Sequence, residues 1–144
     1  MKPVSDIRLR WYDDTRLQED SPRKLIEIFL ESVGISSETA TDMLEALFIA
    51  KSEGRSLTTS EIKSMVEDMR GKRKAPGGLT ERNIQIWLKY FRDIKLVGRV
   101  KSRHMFLNNR LPSELFDDYT RAIIDESVSY TIRSLQKIEK AYDL

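Results

Sequence analysis

Residues 80–107 read TERNIQIWLKYFRDIKLVGRVKSRHMFL, and two periodicities meet inside this stretch. Ile84, Trp87, Leu88, Phe91 and Ile94 recur at helical spacing behind Thr80, whose hydroxyl suits an N-cap, so the first half predicts an amphipathic helix over 80–94. Beyond it, Leu96, Val97, Val100, Met105, Phe106 and Leu107 flank a polar tip at Lys101, Ser102 and Arg103. That pattern predicts a β-hairpin, although no Asn-Gly pair marks its turn. A stripe this regular turns Arg82, Gln85, Ile86 and Lys89 to solvent, with Asn83 and Tyr90 at the margins.

Upstream, three more helices are written in start and stop signals. Ser21 and Pro22 open one that repeats Leu25, Ile26, Phe29, Leu30 and Val33 and stops at Gly34. A second starts near Ser37, carries Met43, Leu44, Leu47, Phe48 and Ala50 inward, and ends at Gly54. Arg55, Ser56 and Leu57 form a short connector. Thr58-Thr59-Ser60-Glu61 is a capping-box pattern, in which Thr58 caps the backbone and Glu61 reaches back. The third helix then places Ile62, Met65, Val66 and Met69 inward and is expected to break at Gly71, opening the loop 71–78, GKRKAPGG.

Charge divides the chain more sharply than its net of +2 suggests. Residues 1–50 hold six Lys/Arg against ten Asp/Glu, and residues 111–144 hold four against seven. Residues 51–110 hold fifteen against six, a local balance of +9, and between 70 and 110 the only acids are Glu81 and Asp93. Such a concentration suits a polyanion, whose phosphates gain from any cluster of fixed positive charge.

From Ser113 to Tyr142 the chain is predicted helical again, about 45 Å at 1.5 Å per residue, longer than a domain of this size is wide. Its apolar residues make two seams. One runs through Phe116, Tyr119, Ile123 and Tyr130. The other runs through Ile124, Val128, Thr131, Leu135, Ile138 and Tyr142, stepping near 3.5 residues as in a coiled coil, and is the expected dimer interface. Residues 1–20 form a polar arm in which Ile7, Leu9 and Trp11 alternate with Arg8, Arg10 and Tyr12, the pattern of an edge strand or of an arm laid along a partner.

Helix, connector, capped helix, loop, amphipathic helix and basic hairpin, in this order over residues 38–107, resemble the winged helix-turn-helix DNA-binding superfamily. The runs ALFIAKSEG (46–54) and LTTSEI (57–62) are similar to the first-to-second helix passage of such regulators. The long C-terminal helix looks like the dimerising helix of PadR-type regulators or of the bacterial replication terminator. The resemblance implies a mainly α fold with a small β-hairpin wing, an extra N-terminal helix and a C-terminal dimerisation helix over 111–144. It also implies that helix 80–94 reads the major groove and the wing touches the backbone. On that reading Arg82, Asn83, Gln85, Ile86 and Lys89 face base edges. Thr58, Thr59 and Ser60 offer a helix N-terminus to a phosphate, while Lys72, Arg73, Lys74, Arg99, Lys101 and Arg103 supply sequence-independent attraction.

The implied function is a homodimeric transcriptional regulator bound to double-stranded DNA. The alternative is a winged-helix module for protein contacts in a transcription or replication assembly, since fold alone does not decide between them. The absence of cysteine removes thiolate chemistry and a disulfide framework. A single histidine, His104, provides no multi-histidine metal site and is expected to lie in the hairpin. Asp13-Asp14 and Asp117-Asp118 sit in acidic polar stretches and read as solvated pairs. No nucleophile-base pair and no nucleotide fingerprint emerge, so the expectation is a binding protein with no cofactor rather than an enzyme. With no apolar segment behind the N-terminal charges, the expected location is the cytoplasm.

Overall fold

A computed structural model describes residues 1–144. After a 3-10 turn at Asp14–Gln18, the chain forms α1 (Pro22–Ser32), α2 (Glu38–Ser52), β1 (Leu57–Thr58), α3 (Thr59–Lys72) and α4 (Glu81–Asp93). It continues with β2 (Val97–Val100), β3 (Arg103–Phe106), α5 (Pro112–Leu115), a π turn (Phe116–Thr120) and α6 (Arg121–Ala141). The last three run on as one helical rod, giving four shorter helices and one long one. The fold is mainly α, as expected. No helix is long and apolar enough to cross a membrane.

Each of the four shorter helices starts where a hydroxyl accepts from the first turn. Ser21 accepts from the Lys24 amide, Ser37 from Ala40, Thr58 from Glu61 and Thr80 from Asn83. At Thr58 the capping box is complete, because the Glu61 carboxylate accepts in return from the Thr58 amide at 3.2 Å. Two of the four orphan donors at that helix end are thereby satisfied.

The third helix does not break at Gly71. It runs through Lys72, with Arg73 as its C-cap. A glycine near a helix end costs only about 1 kcal/mol against alanine, and here Arg70 and Arg73 hold the last turn from both sides of it. Both bind Asp42 on α2, at 2.8 Å and 2.9 Å.

The core is one cluster in which α2, α3 and α4 converge: Met43, Leu44, Leu47, Ile62, Val66, Ile84, Leu88 and Phe91 are all buried. Burying each such side chain stabilises by about 1.5–3 kcal/mol relative to exposure. Leu30 of α1 closes one side and Phe106 of β3 the other. The hairpin forms as expected, with Val97 opposite Phe106 and Val100 opposite Arg103. Its two-residue turn puts Lys101 at φ 58°, the left-handed region usually left to glycine or asparagine. The connector carries an unforeseen strand: β1 pairs with β3, Leu57 opposite His104, giving the sheet order β1-β3-β2. Helix, strand, helix, helix and a two-stranded hairpin joined to the earlier strand make a topology compatible with the winged-helix type.

At the N-terminus the alternating residues form no strand. Ile7 packs against the core and the Arg10 amide donates to the Ser32 carbonyl at 2.8 Å, but Leu9 and Trp11 are exposed. The segment joins no sheet and is an arm held to the end of α1.

The long rod also departs from a simple pair of seams. Its π turn inserts an extra residue into the helical repeat, which rotates everything beyond it by about 100°. Phe116, inside the π turn, packs edge-on against Phe29 at 6.5 Å, whereas Tyr130, expected on the same stripe, is 70% exposed, and every residue of the rod from 128 on is exposed as well. Thr120, in the last position of the π turn, is fully buried, and its hydroxyl donates to the Ile94 carbonyl at 2.6 Å. Beyond it, α6 buries nothing and projects from the domain.

Candidate nucleic-acid interface

The outward face of α4 is as the periodicity required. Arg82, Asn83, Gln85, Ile86 and Lys89 are all exposed, with Ile86 at 52%, while Ile84, Leu88 and Phe91 on the other side are at 0%. Trp87 and Tyr90 are half-buried and pack edge-to-face at 6.0 Å, so neither belongs to the free face.

One hydrogen bond joins this face to the start of α3. The Gln85 side-chain amide donates to the Thr59 hydroxyl at 3.3 Å, and the same hydroxyl lies 3.4 Å from His104 Nε2 on β3. The exposed face of α4, the N-terminus of α3 and the hairpin thus meet at Thr59. Ser60, next along α3, is exposed. The Thr58 hydroxyl is spent on its own cap and the half-buried Thr59 hydroxyl on Gln85 and His104, leaving Ser60 as the exposed hydroxyl at that helix end.

The hairpin is fastened to this junction by Arg103. Its Nε donates to Ser56 Oγ at 2.9 Å, its Nη2 to the Ser56 carbonyl at 2.7 Å, and it pairs with Glu61 at 3.2 Å. The Thr58 amide and hydroxyl hold the Glu61 carboxyl below its ordinary range, with Arg103 and Arg55 adding to the effect. Arg103 is therefore a clamp between β3, β1 and α3 more than a free cation. Arg99 and Lys101 extend from the hairpin, exposed and with no ion pair of their own.

The basic loop divides in the same way. Lys72 and Lys74 are exposed and make no ion pair, but Arg73 is not among the free charges the sequence suggested. Its guanidinium binds Asp42, which is fully buried and also receives Arg23 at 2.6 Å and Arg70 at 2.8 Å. Burying a carboxylate requires such partners, so Arg73 serves the interior. On α4, Lys89 pairs with Asp93 one turn on at 2.7 Å, with both groups more than half exposed.

Sequence reasoning missed Ser56 as the seat of Arg103 and Asp42 as the centre of an arginine cluster. Ser56 had no signal. Asp42 did have one, since it lies three residues after Thr39 and four before Ala46 on the inward side of α2, where an acid demands a cation. His104 is in the hairpin, as expected, at 2% exposure. Burial, reinforced by Arg92 and Arg99, pushes its pKa down to about 4, so it is neutral at physiological pH.

The expected dimer seam is uncovered within the subunit. Ile124 is half-buried, while Val128, Thr131, Leu135, Ile138 and Tyr142 are exposed, as is Ile132 beside them. No family model, curated protein or solved structure matches the chain.

Proposed function

We propose that this protein is a winged helix-turn-helix binder of double-stranded DNA that acts as a homodimeric transcriptional regulator. The observation that carries the reading is the junction at Thr59, where the exposed face of α4, the N-terminus of α3 and the basic hairpin share one side of the domain. A helix projecting Arg82, Asn83, Gln85 and Lys89 offers bidentate and amide donors to base edges. Ile86 in their midst suits a thymine methyl. Arg99 and Lys101 on the hairpin and Lys72 and Lys74 on the loop supply backbone attraction. Arg103 takes the part of a clamp that sets the angle of the hairpin. Two such domains, joined through α6, would address successive major grooves.

Binding to random-sequence duplex DNA over a salt series tests this. A slope of log K on log salt near −0.9 for each phosphate neutralised is expected, and the double substitution Arg82→Glu with Lys89→Glu should abolish binding without loss of fold. A folded wild-type protein with no salt-dependent affinity for duplex DNA overturns the proposal. That result would leave the protein-contact module, for which exposed Ile86 would be the anchor.

A further inference from the structure

The apolar face of α6 leads directly to a groove at its own root. Between α1, α2 and α5 lies an open groove of about 790 Å³, walled by Phe29, Phe48, Leu96 and Phe116, with Asp117 and Arg121 at its mouth. Phe48 keeps 37% of its surface exposed there, although it touches Phe106 at 4.8 Å. Arg121 stands seven residues before Val128, in register with the seam Ile124, Val128, Thr131, Leu135, Ile138 and Tyr142. Seam and groove are thus one continuous strip.

Charge decides how a second copy meets it. Residues 112–131 hold five acids against Arg121 alone, a balance of −4, while residues 132–144 hold Arg133, Lys137 and Lys140 against Glu139 and Asp143, a balance of +1. A parallel pair sets acidic half beside acidic half and Arg121 beside Arg121. An antiparallel pair sets each acidic root against a basic tip.

We infer that two copies pair antiparallel through α6, and that the tip of each helix, with Tyr142 and Leu144, seats in the aromatic groove of the other. The inference rests on the dimeric reading above and deepens it. In the register that places Ile124 against Tyr142 of the second copy, Val128 meets Ile138 and Thr131 meets Leu135, so all six seam positions are covered. Ile132 then approaches its own equivalent near the twofold axis. That accounts for an apolar residue, 49% exposed, lying beside the seam. On the opposite flank the heptad brings only small residues, Ser127, Ser134 and Ala141, which lets the backbones close up. The tip reaches the groove because Ile124 to Tyr142 spans about 27 Å at 1.5 Å per residue, the length needed to return to the root.

The protein has no cysteine, so introduced ones report orientation without background. The wild-type chain is first sized by light scattering. Ile124→Cys, Tyr142→Cys and an equimolar mixture of the two are then oxidised and resolved on non-reducing gels. A wild-type dimer, little product from either variant alone and efficient cross-linking in the mixture are expected. A monomer at about 50 μM, a concentration at which a micromolar pair would be mostly associated, sinks the dimeric reading. A dimer in which Ile124→Cys links to itself overturns the antiparallel arrangement alone. For the groove, Phe48→Glu should raise the dimer Kd by about tenfold or more, as loss of a buried aromatic anchor does. Tyr142→Asp, at a position 76% exposed in the single chain and so neutral for folding, should do the same. If neither changes the Kd, the groove is not where the tip sits.

Discussion

Arg70 on α3 donates to the buried carboxylate of Asp42 on α2 at 2.8 Å, across the helix pair that forms the centre of the domain. Arg23 of α1 and Arg73 at the end of α3 reach the same carboxylate, and Arg70 also donates to the Thr39 hydroxyl at 3.0 Å. Three helices are thus pinned at one ion. Replacing Asp42 with Asn leaves three guanidinium groups facing a neutral amide, and a loss of about 3–5 kcal/mol is expected, as when one partner of a buried ion pair is removed. Urea unfolding of the variant against wild type reads this directly. Arg73→Ala, whose side chain is 30% exposed, should cost far less.

His104 sets a pH dependence. Its pKa falls to about 4, first because it is buried and then because Arg92 and Arg99 stand near it, whereas in the unfolded chain it returns to about 6.5. The unfolded state therefore binds more protons between these values. The sign follows: the contribution is complete above pH 6.5 and is lost as pH falls toward 4. A series of urea melts between pH 7 and pH 4 should show wild type losing more stability than His104→Gln. Equal losses would mean that the imidazole is not the group responsible.

Thr58 and Arg103 test how the hairpin is held. Thr58→Ala removes the hydroxyl that accepts from the Glu61 amide, while the residue-58 amide can still donate to the Glu61 carboxylate, and the loss of this cap is expected to cost about 1 kcal/mol. Arg103→Lys keeps the charge but loses the two-pronged grip on Ser56, so its effect should resemble that of Arg103→Ala in thermal unfolding. If lysine restores full stability, the clamp is electrostatic rather than geometric.

On the proposed DNA-binding surface, formed by α4, the hairpin and the loop after α3, the substitutions should separate by type. Lys101→Ala and Lys72→Ala should weaken all duplexes alike and shallow the salt slope, since an exposed lysine neutralises a phosphate regardless of sequence. Gln85→Ala should instead relax preference at one base-pair position, by about 1–3 kcal/mol. Binding measured on a randomised duplex pool distinguishes the two patterns. A uniform loss from Gln85→Ala would remove it from base reading and leave it as the tie to Thr59.

The elements themselves were decided locally, and so they were legible along the chain. Ser21, Ser37, Thr58 and Thr80 cap helices because a hydroxyl at that position satisfies donors only three residues away, and the stripe from Ile84 to Phe91 needs no distant partner to declare its inward side. The same periodicity placed Arg82, Gln85, Ile86 and Lys89 outside. What tertiary structure alone decided were relations between segments far apart in sequence. Arg73 reads as one more free cation in a basic loop until α2 brings Asp42 beneath it, and Arg103 reads likewise until β1 brings Ser56 alongside. The pairing of β1 with β3 and the rotation at the π turn have the same origin. A two-residue strand and a one-residue insertion leave no periodic trace, and each is tied to a distant segment, Leu57 pairing with His104 and the Thr120 hydroxyl donating to the Ile94 carbonyl.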